Sequence, residues 1–209
     1  MKLLAFLLIP FTTTACSIFG ARTVEEPKYE VILKEKNFEV RKYNRMIIAK
    51  TYVEGKYENT SNKAFRIIAD YIFGNNIAEK EIAMTAPVMQ EPSSEKIAMT
   101  APVVQSPSEK GWYMYFIMPS KYKMENLPKP NNKDVIVEEV SEQTVAVYTY
   151  SGFTTQDKLD KYGKELTLWL QEKGYTPVSS IRSARYNHPL TLPFLRTNEV
   201  HISVKKHYP

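Results

Sequence analysis

Apolar and polar positions alternate with a period of two over several short stretches of this chain, and twice they switch to the 3.6-residue spacing of a helix. Tyr29 to Lys34 and Asn37 to Tyr43 read as two strands around Glu35-Lys36. In the second, Phe38 and Val40 alternate with Glu39 and Arg41, which predicts one buried and one wet face. Met46 to Glu54 predicts a third strand, ending at Gly55. Thr60 or Ser61 then caps a helix through Phe73, with Ala64, Phe65, Ile68 and Ile72 on one stripe and Gly74 as its stop. Trp112 to Met118 is a strand of large side chains closed by Pro119, and Lys121 to Asn132 is a loop. The order then recurs. Val135 to Val140 and Thr144 to Tyr150 are strands, and Thr154 or Thr155 caps a helix to Lys173 whose stripe is Leu159, Tyr162, Leu166, Trp169 and Leu170. Gly174 ends it, Val178 to Tyr186 is a strand, Asn187 to Arg196 a proline-containing loop, and Glu199 to Val204 a closing strand.

Both halves therefore run strand, strand, helix, strand. Neither half buries both faces of its own sheet, so the two are expected to share one core. The predicted class is α+β: a distorted, strongly curved, mainly antiparallel sheet in two pseudo-symmetric halves, flanked by two helices.

Between the halves one phrase occurs twice. Ile82-Ala83-Met84-Thr85-Ala86-Pro87-Val88 returns as Ile97-Ala98-Met99-Thr100-Ala101-Pro102-Val103. The segment is either a tandem duplication or a matched strand pair. Each copy reads as a short strand that stops at its proline, because proline cannot donate to a sheet ladder. The turn-rich Gln90 to Glu95 between them suggests a hairpin-like excursion.

Composition narrows the class. At 209 residues, 43% of them hydrophobic, the chain suits one large domain and is not disordered. Its 14 tyrosines suit half-wet sheets and groove walls. The formal charge of +5 is scattered, with no basic run longer than Lys205-Lys206, which fits a solvated surface better than a nucleic-acid footprint. Lys2 and the apolar Leu3 to Phe11 form a signal-like segment leading through Thr12 to Ala15 into Cys16, the single cysteine. Residues 1–15 are thus expected to be a signal peptide. The rest divides into a polar spacer (16–27), one domain (28–205) and a short tail (206–209). With no second cysteine the domain has no internal disulfide. Catalytic signatures such as His-Glu-x-x-His or Gly-x-Ser-x-Gly are missing from the sequence. Glu138 and Glu139 are adjacent on a strand and point to opposite faces, so they cannot act as a pair. An enzyme is not expected.

Resemblance becomes specific at three places. The doubled Ile-Ala-Met-Thr-Ala-Pro-Val phrase, Phe38-Glu39-Val40-Arg41-Lys42-Tyr43, and Tyr186-Asn187-His188-Pro189 with Leu192 to Val200 together resemble the SOUL haem-binding family, in the family's order. Thr197 departs from the second arginine common before Asn-Glu-Val, and members usually carry the phrase once. The resemblance implies a distorted barrel of two repeated halves flanked by helices, similar to the effector-binding domains of some bacterial drug-sensing regulators. It also implies binding of haem or other tetrapyrroles without one obligatory axial ligand. The N-terminal segment resembles a bacterial lipoprotein signal, with Thr13 where a leucine is usual. That likeness implies lipid attachment at Cys16 and a membrane-anchored place in the cell envelope, with the outer membrane favoured because Ser17 is not aspartate.

Haem needs an apolar slot, a nitrogen or soft ligand, and cations for its propionates. The three histidines are His188, His201 and His207, of which His201 is best placed as an axial ligand, on a strand. Met84 and Met99 are thioether alternatives, against their ordinary use as core fillers. Tyr43, Tyr113, Tyr115, Tyr148 and Tyr150 are candidates for groove walls. Arg41, Lys42 and Arg66 are candidates for propionate pairing, although such charges are more often solvated. The expected function is non-catalytic, reversible binding of haem or a related planar apolar ligand in an apolar groove with basic edges. Two rivals stand beside it: an envelope protein-interaction module using the repeated strand, and a binder of amphipathic small molecules.

Overall fold

The computed structural model describes residues 24–78, 80–92 and 111–207. Cys16, Met99 and the second copy of the repeated phrase lie outside the described residues. The strands are β1 (Tyr29–Glu35), β2 (Phe38–Tyr43), β3 (Met46–Glu54), β4 (Val88–Pro92) and β5 (Gly111–Ile117) in the first half. The second half supplies β6 (Ile136–Val140), β7 (Gln143–Tyr150), β8 (Tyr175–Pro177), β9 (Arg182–Arg185) and β10 (Asn198–Lys206). Helices α1 (Tyr57–Ile72) and α2 (Gln156–Glu172) follow β3 and β7.

The strands form one antiparallel sheet in the order β1-β2-β7-β10-β9-β4-β5-β3-β6, with β8 pairing β10 off this path. Apart from β1 and β8 the order is a palindrome about the β9–β4 pair. Each half sends its first strand across to the other: β2 pairs with β7, and β6 pairs with β3. That exchange stitches two strand-strand-helix-strand-strand units into one sheet.

Both helices lie on one face. Ala64, Ile68 and Ile72 of α1 pack on Ile47, Ala49, Met114 and Phe116. Leu159, Leu166 and Leu170 of α2 pack on Val40, Ala146, Val200 and Ile202. The core beneath the helices is thus two clusters, one per helix, where one shared core was expected, and two smaller clusters lie on the opposite face. Each helix cluster borrows from the other half, Val135 joining the first and Val40 the second.

Three local readings change. Helix α1 begins at Tyr57, before Thr60 and Ser61, whose hydroxyls donate back to the Tyr57 carbonyl at 3.1 Å instead of capping. Tyr57 itself is buried, edge-on to Trp112 at 5.1 Å and bonded to Ser183, and this anchoring sets the start. Helix α2 is capped by Thr155 as expected. Of the stretch read as one strand from Val178 to Tyr186 only Arg182–Arg185 is strand, as β9, and β8 ends before it at Pro177. The first copy of the repeated phrase is not a strand ending at proline. Residues 80–84 are irregular and β4 starts at Val88, just after Pro87, where the backbone again has a donor to give to its neighbours.

Candidate functional site

The face away from the helices encloses a cavity of about 580 Å³. Its wall includes Ile48 from β3 and Val145 from β7, which are separated in the sheet by β5, β4, β9 and β10. In a flat sheet those strands would be roughly 24 Å apart, at ~4.8 Å per strand. Lining one cavity requires the sheet to curl around it.

Alternation along each strand decides which side chains enter. On β5, Met114 and Phe116 go to the helix side while Tyr113, Tyr115 and Ile117 line the cavity. On β3, Ile47 and Ala49 go outward while Met46, Ile48 and Lys50 go in. Met89 and Glu91 of β4, Arg182 of β9, His201 and Ser203 of β10, and Tyr43 at the end of β2 complete most of the wall. Pro27 and Pro87 close one side. The chain at Glu25 is tied there, since its carbonyl accepts from the Ala86 N–H at 3.0 Å and its carboxylate accepts from the Ser120 N–H.

Beneath one wall lies a buried charge network. Glu39, Arg41 and Tyr43 share a face of β2, and Glu199 and His201 share one of β10. Between them β7 presents Val145 and Val147, short enough for side chains to meet across them, flanked by Gln143 and Thr149. Arg41 Nη1 and Nη2 donate to Glu199 Oε2 and Oε1 at 3.1 and 2.9 Å. Its Nε donates to Glu39 Oε2 at 2.6 Å, and its guanidinium sits 4.3 Å from the Tyr29 ring centre. Glu199 Oε2 also accepts from the Tyr186 hydroxyl and from His201 Nε2 at 2.7 Å. The wet face expected for β2 is therefore buried: Arg41 is 4% exposed and Glu39 7%.

The electrostatics follow from this packing. Burial opposes the Glu199 charge, but the His201 hydrogen bond and Arg41 prevail and hold its carboxyl down at about 2. Burial, reinforced by the charges of Arg182 and Arg41, holds the His201 imidazolium below its ordinary 6.5 against the pull of Glu199. At neutral pH His201 is thus neutral, with the proton on Nε2 directed at the carboxylate. Burial also raises the Tyr43 phenol and pushes that of Tyr115 up to about 12.

The candidate residues fall into three groups. Tyr43 and His201 line the cavity together, with Tyr113 and Tyr115. Arg41 supports that wall from below, its donors already engaged. Arg66 is exposed on α1, Met84 packs against the cluster beneath α1, and Tyr148 and Tyr150 stack on Tyr162 beneath α2; none of these lines the cavity. Lys42 pairs with Glu142 at 3.0 Å, and His188 and His207 are exposed. Sequence reasoning missed Met89, Arg182 and Glu91. The edges are also not simply basic, for Lys50 and Arg182 face Glu138 and Glu91. Glu138 lines this cavity and Glu139 a separate surface hollow, so the two do point apart. Among the described residues no group of three His, Cys, Asp or Glu could hold a metal ion.

All three stretches that carry the resemblance meet here. Phe38 to Tyr43 supplies Arg41 and Tyr43, the C-terminal stretch supplies Tyr186 and Glu199, and the first repeated phrase supplies Pro87 and runs into Met89. The family model for SOUL heme-binding protein matches residues 24–94 and 89–203. The chain belongs to the SOUL family. It is 30% identical over 177 residues to human heme-binding protein 2, covering 83% of this chain and 80% of that protein, and 28% identical to the mouse protein over the same shares. Among solved structures it is similar to the C-terminal domain of EcmrR (TM-score 0.57, 12% identity, 86% of this chain and 99% of that one). It is likewise similar to an uncharacterized conserved protein from Listeria innocua (TM-score 0.58, 9% identity, 82% and 93%). At those identities the likeness shows the fold alone.

Proposed function

We propose that this SOUL-family chain binds haem, or a related planar tetrapyrrole, reversibly and without catalysis in the cavity on the helix-free face. The observation that carries the reading is that the family stretches meet at one tyrosine- and methionine-lined cavity: Tyr43 and Pro87 line it, and Tyr186 and Glu199 belong to the network beneath its wall. Its volume falls within the several hundred Å³ usual for small-molecule sites.

The residues fit the macrocycle better than the iron. Ile48, Ile117, Met46, Met89, Val140 and Val145 offer apolar contact, and Tyr113 and Tyr115 offer ring faces. As iron donors the site has the Met46 and Met89 thioethers and His201, whose Nε2 is committed to Glu199 and whose buried Nδ1 is its one unprotonated nitrogen. The phenols of Tyr43 and Tyr115 are held protonated and are poor ligands. Bound iron would supply redox and axial-ligand chemistry that this wall does little to direct, which supports carriage over catalysis. Titrating purified protein with haemin tests this: a saturable Soret change at one equivalent is expected, and weak non-saturating shifts would contradict it.

The envelope setting is part of the proposal, resting on the signal-like segment and Cys16. Detergent phase partitioning of the protein made in bacteria should place it in the detergent phase, and Cys16→Ser should move it to the aqueous one. Equal partitioning of the two would refute the anchor. The repeated strand is a poorer docking edge than its sequence suggests, since β4 is paired on both sides, by β5 and β9.

A further inference from the structure

Resting on the cavity reading above, the geometry points to Arg182 as the anchor for an acidic head group of the ligand, so that the cavity selects a planar apolar molecule carrying a free carboxylate. Arg182 stands on β9 opposite His201 of β10 and is 8% exposed. One terminal nitrogen donates to Ser203 Oγ at 2.8 Å, and the guanidinium also hydrogen-bonds the Tyr115 side chain. Its buried Nε has no hydrogen-bond acceptor, for the nearest carboxylate, Glu91 Oε2, is 3.9 Å away, beyond hydrogen-bond reach. A buried guanidinium so incompletely matched gains from any anion brought to it.

The other cations near the cavity are already answered. Lys50 Nζ lies 2.7 Å from Glu138, and Arg41 is consumed by Glu39 and Glu199 beneath the wall. Ser179, Ser180, Ser203 and Gln143 line the cavity from β7, β10 and the segment before β9, on Arg182's side of the sheet, while Met46, Ile48 and Ile117 come from β3 and β5. Hydroxyls are thus gathered in the strands beside one incompletely paired cation. Glu91 and Glu138 also face this space. The wall therefore accommodates one carboxylate of the ligand at Arg182, with the apolar body on Met89 and Tyr115.

The test compares protoporphyrin IX with its dimethyl ester, in the same detergent, on the full folded chain. The free acid should bind the wild-type protein roughly ten- to a hundredfold more tightly, the range of a charge-assisted hydrogen bond. Arg182→Gln should abolish that gap and Arg182→Lys should retain part of it, with far-ultraviolet dichroism verifying that both variants are folded. Equal binding of acid and ester by the wild type would overturn the anchor while leaving the cavity reading standing. A gap that survives Arg182→Gln would do the same. Binding of neither porphyrin would overturn the cavity reading and this inference together.

Discussion

Arg41 and Glu199 are 158 positions apart in the chain and grip each other through two parallel hydrogen bonds across the valines of β7. The pair joins the first-half strand β2 to the last strand β10 and sets the floor on which His201 and Tyr186 are oriented. Both partners are buried, so removing one leaves the other charge unanswered. Glu199→Leu or Arg41→Met should each cost about 3–5 kcal/mol of stability. The double variant should cost less than the sum by at least ~1 kcal/mol, which urea denaturation would measure. Strict additivity would show that the two do not act as a pair.

Acid should weaken the fold in two stages. Below pH 6.5 an unfolded His201 takes up a proton that the folded one resists, so stability falls as the pH drops through the histidine range. Glu199 acts at lower pH in the same direction: its folded carboxyl titrates near 2 against 4.5 unfolded, so about 3 kcal/mol present above pH 5 is lost between about pH 5 and pH 2. Urea midpoints across pH 7.5 to 2.5 should trace this decline, and Glu199→Gln should flatten its lower limb. An unchanged lower limb in that variant would assign it to other carboxylates.

Met84 and Arg66 separate the helix side of the sheet from the cavity side. Met84→Ala removes a side chain packed against the cluster beneath α1 and should lower stability by about 1–3 kcal/mol with ligand affinity unchanged. Arg66→Ala, at an exposed helix position, should move neither quantity by more than about 0.5 kcal/mol. A tenfold loss of haemin affinity in either variant would locate binding on the α1 face.

Much of the architecture was legible because period-two and period-3.6 patterns are local. The Thr155 cap, the stripe of α2 and the opposed Glu138 and Glu139 all follow from spacing. The start of α1 was not, because it depends on Tyr57 reaching Trp112 and Ser183, contacts made only after folding. The network was misread for a similar reason. Arg41 on an alternating strand looks solvated until the curl of the sheet encloses that face. A signal did exist: Glu39-x-Arg41-x-Tyr43 and Glu199-x-His201-x-Ser203 each place three polar side chains in a row on one strand face. Two such rows in one sheet read as a pair of matched walls as readily as two wet surfaces. Nothing in the local pattern distinguishes Arg182 from any other strand arginine.

Iron should matter little to affinity. With His201 Nε2 turned to Glu199, metal-free protoporphyrin IX should bind within about fivefold of haemin, and Met89→Leu, which keeps volume but removes the sulfur, should bind haemin within the same factor. Calorimetric titration of both ligands would check this. A haemin affinity a hundredfold above that of the free base would mean that a strong axial ligand has been overlooked.

The claim that the cavity itself is the binding site is tested most directly by filling it. Val145 is 1% exposed and lines the cavity wall from β7, so Val145→Trp should occupy the space. Haemin titration of a folded Val145→Trp protein should show the saturable one-equivalent Soret change of the wild type weakened at least tenfold or lost. Undiminished one-to-one binding by that protein would contradict the account.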